Sequence, residues 1–585
     1  MAGSNLANRG FLTLVQTYLE GEAQFNARYA DVMEMIYHEL IDKEPYDGNG
    51  ISHDNCMHQH NIPAGNRGPY INTHIRRLVY NGQYGGDYMK HIAQLILLFK
   101  NITAYEFSEI SVREFTKAFL DCHVLFLRGR TFEPSVCGRS ITGNARVTYW
   151  TAFNSVHRVA TMLLPVGHRV SEIQDVLDRY HNKGPSSKNA LIKNRSLFAS
   201  DMMAHQRLAF MASVRMHSSR TTRPETWIGR RTMNENGYYL GDGMTTIMKD
   251  GDELGIRGNE LFQHYDWAKI PGATIEYAKQ VPRAGMEYDP TNFPHHISKA
   301  DFVGSTSDGV YGVAAMIYDR PTVNITLKKS WFFFDDELIC LGSNIETREG
   351  INDTQPVLTT LNQIIQDGAI TAYDETKGLV EIQNGEVYLP NPTWVHHDNT
   401  GYIFLSNVTN VYMQGENRSN TDIDGNKVIS NQVFSTWIDH GRAPQNLQYA
   451  YSVRPNITVG EIDAYINSSP VRRVQQNSNI HAVFHTKLNI TGLVFFTPGN
   501  VSTPNGYVVS ADNPSIVMIR ESKNNMFITC SNPENKGIVL KIKLSKNVRG
   551  PGARFFVESG MTDVTFNLPS GRLAGSSITK LLKWQ

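Results

Sequence analysis

The feature that most constrains the fold of this 585-residue chain is a change of hydrophobic period at about residue 195. Before it, apolar residues recur at helical spacing: Leu12, Val15, Tyr18 and Leu19, then Val32, Met35 and Ile36, within Phe11–Leu40. That repeat predicts one or two amphipathic helices. Tyr88–Phe99, Val112–Leu127, Val147–Leu164 and Val170–Tyr180 continue it between Gly, Pro and Asn breaks, which implies short antiparallel helices stacked into a bundle or toroid. The stretch His181–Ser196 turns to Lys, Asn, Ser and Gly. Beyond it the period becomes two, as in Leu338–Gly342, Gly401–Leu405, Gly492–Phe496, Ile516–Ile519 and Gly537–Ile542. Such runs between turn clusters predict a large antiparallel β region. A further break near Asn467–Asn479 suggests a last β module. The expectation is a multidomain α+β chain: helical over 1–195, an antiparallel β-sandwich over 196–470 and a C-terminal β domain over 471–585.

Bulk properties bound the function without naming it. A chain of this length exceeds one core, and 41% hydrophobic with 19% charged residues is globular rather than disordered,. Lys+Arg and Asp+Glu balance at 56 each, so net charge points to no nucleic acid, and a polyanionic partner must be met by a local basic patch. Five scattered cysteines (Cys56, Cys122, Cys137, Cys340, Cys530) argue against a disulfide framework and leave at least one thiol unpaired. No run approaches the roughly 18 apolar residues of a membrane span. The opening Met1–Asn5 shows no secretory signal, although a mature extracellular or periplasmic protein would read the same. A monomer is expected.

Chemistry concentrates in the segment from Gly50 to His60 (GISHDNCMHQH), followed by Tyr84 at the head of an apolar helix. A histidine and a tyrosine on the rim of a helical scaffold can move a proton off carbon and onto a leaving oxygen, which favours elimination over hydrolysis. The rival reading is a zinc site built from His53, Cys56, His58 and His60, for which the usual paired spacings are missing. Further along, Arg207, Arg215, Arg220, Arg223, Arg230 and Arg231 form a basic stretch, with Trp227, Tyr238 and Tyr239 beside it for stacking on sugar rings. The alternative reading of the same arginines is a solvated face. Trp331–Phe334 reads as core. Asp335-Asp336-Glu337 offers oxygen ligands to Ca2+, but its strand-like context lacks the loop spacing of a calcium site.

Several segments together resemble polysaccharide lyase family 8, whose members cleave chondroitin sulfates, hyaluronan or xanthan; the chondroitin ABC-type lyases look nearest. Gly50…Asp54…His60 resembles the family's catalytic-histidine segment, Ala2-Gly-Ser-Asn5 its asparagine segment, and Leu127-Arg-Gly-Arg130 its Arg-Gly-Arg loop. Asn236–Met244, His264–Thr274, Lys329–Glu337, Leu341–Ile345 and Phe434–His440 resemble its central β signatures. The resemblance implies an α/α toroid followed by antiparallel β-sandwich domains. Because family members carry helices ahead of the asparagine, it also implies that the toroid is incomplete or the chain truncated.

The resemblance assigns a mechanism to named residues. The substrate is an anionic, uronate-containing polysaccharide, and no cofactor is required. Asn5 donates an amide to the uronate carboxylate and so eases removal of the C5 proton. Tyr84 acts as base and then as acid; a phenol ordinarily stays protonated at neutral pH and needs cationic neighbours, here Arg130 and His60. Glu225 orients them, and Arg223, Trp227, Arg230, Tyr238 and Tyr239 bind substrate. His60 and Tyr84 lie 24 residues apart, which implies an insertion over Asn61–Val79 and leaves Tyr70 and His74 as competitors. Alone, Asn5 is equally a helix N-cap, Arg130 a carboxylate partner, and Tyr84 an aromatic packed on Leu95. Two further classes stand beside the lyase: a glycoside hydrolase on the same scaffold, which needs two carboxylates flanking one bond, and a degenerate lyase that only binds carbohydrate.

Overall fold

The computed structural model describes residues 3–43, 49–60, 77–129, 131–142, 145–182, 189–223, 234, 236–251, 253, 260–278, 281, 297–351, 355–406, 408–421 and 427–585. Helices come first: α1 (Ser4–Glu20), α2 (Glu22–Tyr37), α3 (Gln83–Leu98), α4 (Glu109–Asp121), α5 (Ala145–Leu163) and α6 (Val170–His181). The Phe11–Leu40 pattern is two helices because Gly21, at φ 117°, turns the chain between them. In sequence order α1 packs on α2, and α3 bridges α1 to α5, which packs on α6.

Two details depart from the sequence reading. Helical spacing in α1 is correct, but Leu12, Val15, Tyr18 and Leu19 lie on its exposed side, while Leu6, Ala7, Gly10, Leu14 and Thr17 are buried. The predicted helix Val112–Leu127 stops at Asp121 and gives way to a 3-10 turn, His123–Phe126, and a short strand. Val124, Leu125 and Phe126 are buried all the same; a continuous apolar run signals burial without specifying helix.

Strands dominate from Lys193 onward. A four-stranded sheet (Lys193–Leu197, Met202–Gln206, Met211–Arg215, Met244–Met248) lies next to the helices. A nine-stranded antiparallel sheet runs in the spatial order Val303–Ser307, Gly312–Tyr318, Ile325–Phe333, Leu338–Thr347, Leu447–Pro455, Thr400–Phe404, Pro392–His397, Ile370–Asp374, Gly378–Ile382. It faces a five-stranded sheet that includes Val411–Thr421, Val428–Asp439 and Val357–Ile365; Tyr402 of one meets Phe434 of the other at 6.0 Å. Residues 471–585 form a second sandwich of seven- and five-stranded sheets. One apolar core runs unbroken from Ala7 to Val453, so helices and central sheets share it. Trp331 and Phe333 belong to that core, whereas Phe332 and Phe334 face the last module.

Candidate active site

The separation between His60 and Tyr84 is closed by backbone pairing. The hairpin Gly50–Ile51/Met57–His58 exposes one edge of residues 57–59, and residues 78–80 return along it. Gln59 N–H donates to the Leu78 carbonyl at 3.2 Å and Tyr80 N–H to that of Met57 at 2.8 Å. That pairing places the start of α3 beside His60. The two rings meet edge to face at 4.9 Å. His60 itself sits at φ 58°, a left-handed conformation uncommon outside glycine. Tyr70 and His74, the competitors, lie outside the described residues.

The group that joins them is Arg139, which the sequence reading missed. Its Nη2 donates to the Tyr84 hydroxyl oxygen at 2.7 Å, and its Nη1 lies 3.0 Å from His60 Nδ1. A guanidinium only donates, so Nδ1 accepts and the neutral imidazole carries its proton on Nε2. All three side chains are half-buried. Arg139 follows Gly138, at φ 54°, where an added Cβ would fall 2.0 Å from the Tyr80 ring; Tyr80 in turn accepts the Arg139 backbone N–H at 3.1 Å. At Gly82 a Cβ would meet Cys137 Sγ at 2.4 Å. Only glycine lets the head of α3 and the loop Pro134–Thr142 approach this closely. That Gly138-Arg139 step was the available signal, masked by the more conspicuous Arg-Gly-Arg at 128–130. Arg128 of that motif is structural: it is buried and donates to the carbonyls of Lys249, Arg207 and Leu208, and burial pushes it down to about 10.

Two buried carboxylates fix the loops that carry these residues to the central sheets. Asp54 accepts from the Ala199 N–H at 3.0 Å and the Ser200 hydroxyl at 2.8 Å, and Ser200 Oγ lies 2.9 Å from His58 Nε2. Burial raises Asp54, but the His58 ring and hydrogen bonds from Ser52, Ser200 and the Cys56 N–H outweigh it and hold the carboxyl below its ordinary range. Burial pushes His58 down to about 3 against the pull of Asp54. Glu133 accepts from Ser135 and the Val136 N–H on the Arg139 loop, and from Ser213 and Thr246 on two sheet strands; burial raises it. The zinc reading loses its thiolate, because Cys56 forms a disulfide with Cys122, and Nε2 of His58 is bonded to Ser200. Cys137, Cys340 and Cys530 remain free thiols.

The remaining sequence candidates divide into three groups. Asn5 lies exposed on the first turn of α1; it is not the N-cap, which is Gly3. The adjacent Ser4 N–H donates to the side chain of Gln59, next to His60, at 3.2 Å. Arg130, Glu225, Trp227, Arg230 and Arg231 lie outside the described residues. Arg223, Tyr238 and Tyr239 are corrected: all are buried. Arg223 and Arg320 both lie over the Tyr238 ring, at 4.1 and 4.4 Å, and Arg320 pairs with Asp242. Of the other described arginines of that stretch, Arg207 and Arg215 are buried, on Asp335 and the Ser135 carbonyl, and half-buried Arg220 pairs with Asp201. Asp335, Asp336 and Glu337 pair with Arg207, Arg454 and His485, which is the salt-bridge reading of that triplet.

Family models add to this geometry. The super-sandwich domain of polysaccharide lyase family 8 matches residues 192–466, and the family's C-terminal beta-sandwich domain matches residues 474–541. The chain belongs to polysaccharide lyase family 8. This family 8 chain is 29% identical over 469 residues to chondroitinase-AC of Pedobacter heparinus, covering 79% of itself and 63% of that relative. With hyaluronate lyase of Thermasporomyces composti it shares 22% over 587 residues, 93% and 69% of the two lengths. Identity to a chondroitin sulfate ABC exolyase of Bacteroides thetaiotaomicron is 26% over 354 residues, 58% and 33% of the two lengths, so these identities do not single out the ABC type. A solved chondroitinase AC lyase shares the fold at TM-score 0.81 and 24% identity, over 99% of this chain and 78% of the other.

Proposed function

We propose that the chain is a glycosaminoglycan lyase that cleaves chondroitin sulfates or hyaluronan by β-elimination. The observation that carries this reading is the shared guanidinium, with Arg139 bonded at once to Tyr84 and His60. Names of relatives, chondroitinase-AC and hyaluronate lyase, support the substrate class.

The chemistry follows from charge. The C5 proton of a uronate is hardly acidic while the neighbouring carboxylate is charged, and an amide donor such as Asn5 withdraws density from that carboxylate. Tyr84 as phenolate takes the proton, its oxygen held by a charge-assisted bond from Arg139. The electron pair from C5–H forms the C4–C5 double bond, the C4–O bond breaks, and Tyr84 returns the proton to the departing glycosidic oxygen. Arg139 thus takes the place first given to Arg130. His60, with its Nε2 proton, is a second donor or, for the epimeric uronate, the base. No water is consumed and no cofactor is needed. The Cys56–Cys122 disulfide supports an oxidising compartment, extracellular or periplasmic,.

The test is incubation with chondroitin, dermatan and hyaluronan while following near-ultraviolet absorbance of an unsaturated uronate. Absorbance that rises with chain scission is expected. New reducing ends without absorbance would instead show hydrolysis, and binding without either would show a lectin-like protein. Tyr84→Phe is expected to lower kcat by about 10²–10⁴-fold, the span of a lost general acid–base; full activity would remove Tyr84 from the mechanism.

A further inference from the structure

The overall charge balance conceals a segregation. Residues 471–585 hold 14 Lys and Arg against 5 Asp and Glu, whereas residues 1–470 hold 42 against 51. Few of these C-terminal cations are neutralised: Lys536 pairs with Glu534, Lys541 with Asp563 and Arg520 with Asp308. Among the described residues, Lys523, Arg549 and Lys583 have no carboxylate partner, and all three are exposed.

Strand register gathers them on one face of the seven-stranded sheet. Arg520, Phe527 and Leu581 sit directly opposite one another across the strands Ser515–Glu521, Asn525–Ser531 and Ile578–Trp584. Two residues along, Asn525, Lys583 and Arg549 form the next row. The inner face of these strands carries Met526, Ile528 and Leu582 into the sandwich core, so the two rows point outward. Arg520 lies 5.0 Å over the Phe527 ring, and Leu581 beside it is 43% exposed. Lys523 stands on the adjoining turn. Like charges directly opposite, as Arg549 and Lys583 are, cost stability unless a counter-charge joins them.

We propose that this face is an accessory binding surface for an anionic polysaccharide, holding a remote stretch of the polymer. It rests on the lyase reading for the identity of its partner. The cations meet carboxylates and sulfates, and Phe527 with Leu581 offers an apolar strip to the sugar rings between them. The described arginines of the central region, Arg207, Arg215, Arg220 and Arg223, do not serve this purpose, because they are engaged within the fold.

The test compares the full chain with the triple variant Lys523→Ser, Arg549→Ser, Lys583→Ser, whose positions lie in the C-terminal sandwich and not on the segments that carry Tyr84, His60 and Arg139. Retention on immobilised chondroitin sulfate is read across a salt gradient, with thermal unfolding as the folding control. The variant is expected to bind about tenfold more weakly at low salt, with a shallower salt dependence, and to unfold at a temperature no lower than that of the wild-type chain, since the opposed Arg549 and Lys583 charges are removed. The KM for polymer should rise while turnover of a tetrasaccharide stays unchanged. Equal retention of both proteins overturns the proposal, as does equal loss of polymer and tetrasaccharide turnover. Retention on duplex DNA with the same salt midpoint overturns the polysaccharide assignment. Should the wild-type chain eliminate no substrate, the lyase reading falls, while the retention comparison still decides this one.

Discussion

Tyr84, His60 and Arg139, the proposed active centre, show how far such a site rests on residues with no chemistry of their own. The guanidinium reaches both rings because Gly138 adopts φ 54° with the Tyr80 ring where a side chain would stand. Gly138→Ala adds a Cβ to a conformation that L-residues avoid and displaces the Arg139 loop. A shift of about 1 Å at a reacting group costs on the order of 10²-fold in rate, so kcat/KM on chondroitin is expected to fall by at least that much. Activity within twofold of wild type would show that the loop relaxes without moving the guanidinium. At this scale the sequence was half legible. His60 and Tyr84 stood in a recognisable order of motifs, whereas Arg139 was marked only by the Gly138-Arg139 step, and its contacts with both rings had to be seen in the fold.

Among the elements, loops rather than helices carry the site, and buried polar groups tie them to the sheets. Glu133 accepts bonds from both the Arg139 loop and the strands Met211–Arg215 and Met244–Met248. Glu133→Gln places an amide donor against other donors; a buried group left unsatisfied costs about 1–3 kcal/mol. A lower unfolding temperature together with reduced kcat is expected, and a fall in stability alone would separate the anchor from the catalytic geometry. On the other side, the Cys56–Cys122 disulfide clips the His60 hairpin to the end of α4 across 66 residues. Loop-closure entropy for that length amounts to about 4 kcal/mol. The double change Cys56→Ser, Cys122→Ser is therefore expected to lower the denaturation midpoint measurably, and insensitivity of the wild-type midpoint to reductant would show that the bond contributes nothing. An odd number of scattered cysteines suggested no framework, and there is none; the single bridge depends on two segments meeting in space, which spacing does not encode.

For the whole molecule, buried histidines set the response to acid. Burial pushes His58, His123, His397, His440 and His481 each down to about 3. In the unfolded chain they titrate near pH 6.5, so between these limits the unfolded state binds more protons. Their contribution is present above about pH 6.5 and is lost as pH falls towards 3. Asp54, lowered in the fold, adds a further loss below the usual carboxylate range. The unfolding temperature is expected to drop by about 10 °C or more from pH 7 to pH 5. A flat profile across that window would mean that these rings protonate without unfolding.

Local pattern determined the broad plan. Period 3.6 before residue 195 and period 2 after it specify helices and sheets because burial of one face imposes the repeat whatever the partner. The ordered motifs specified the family. Only the tertiary structure decided which face of α1 is buried, that the arginines from Arg207 to Arg223 turn inward, and that Arg139 joins the two rings, since each depends on contacts between segments far apart in the chain. Residues 57–59 and 78–80 make the point: their pairing erases a 24-residue separation, and no periodicity within either segment records its partner.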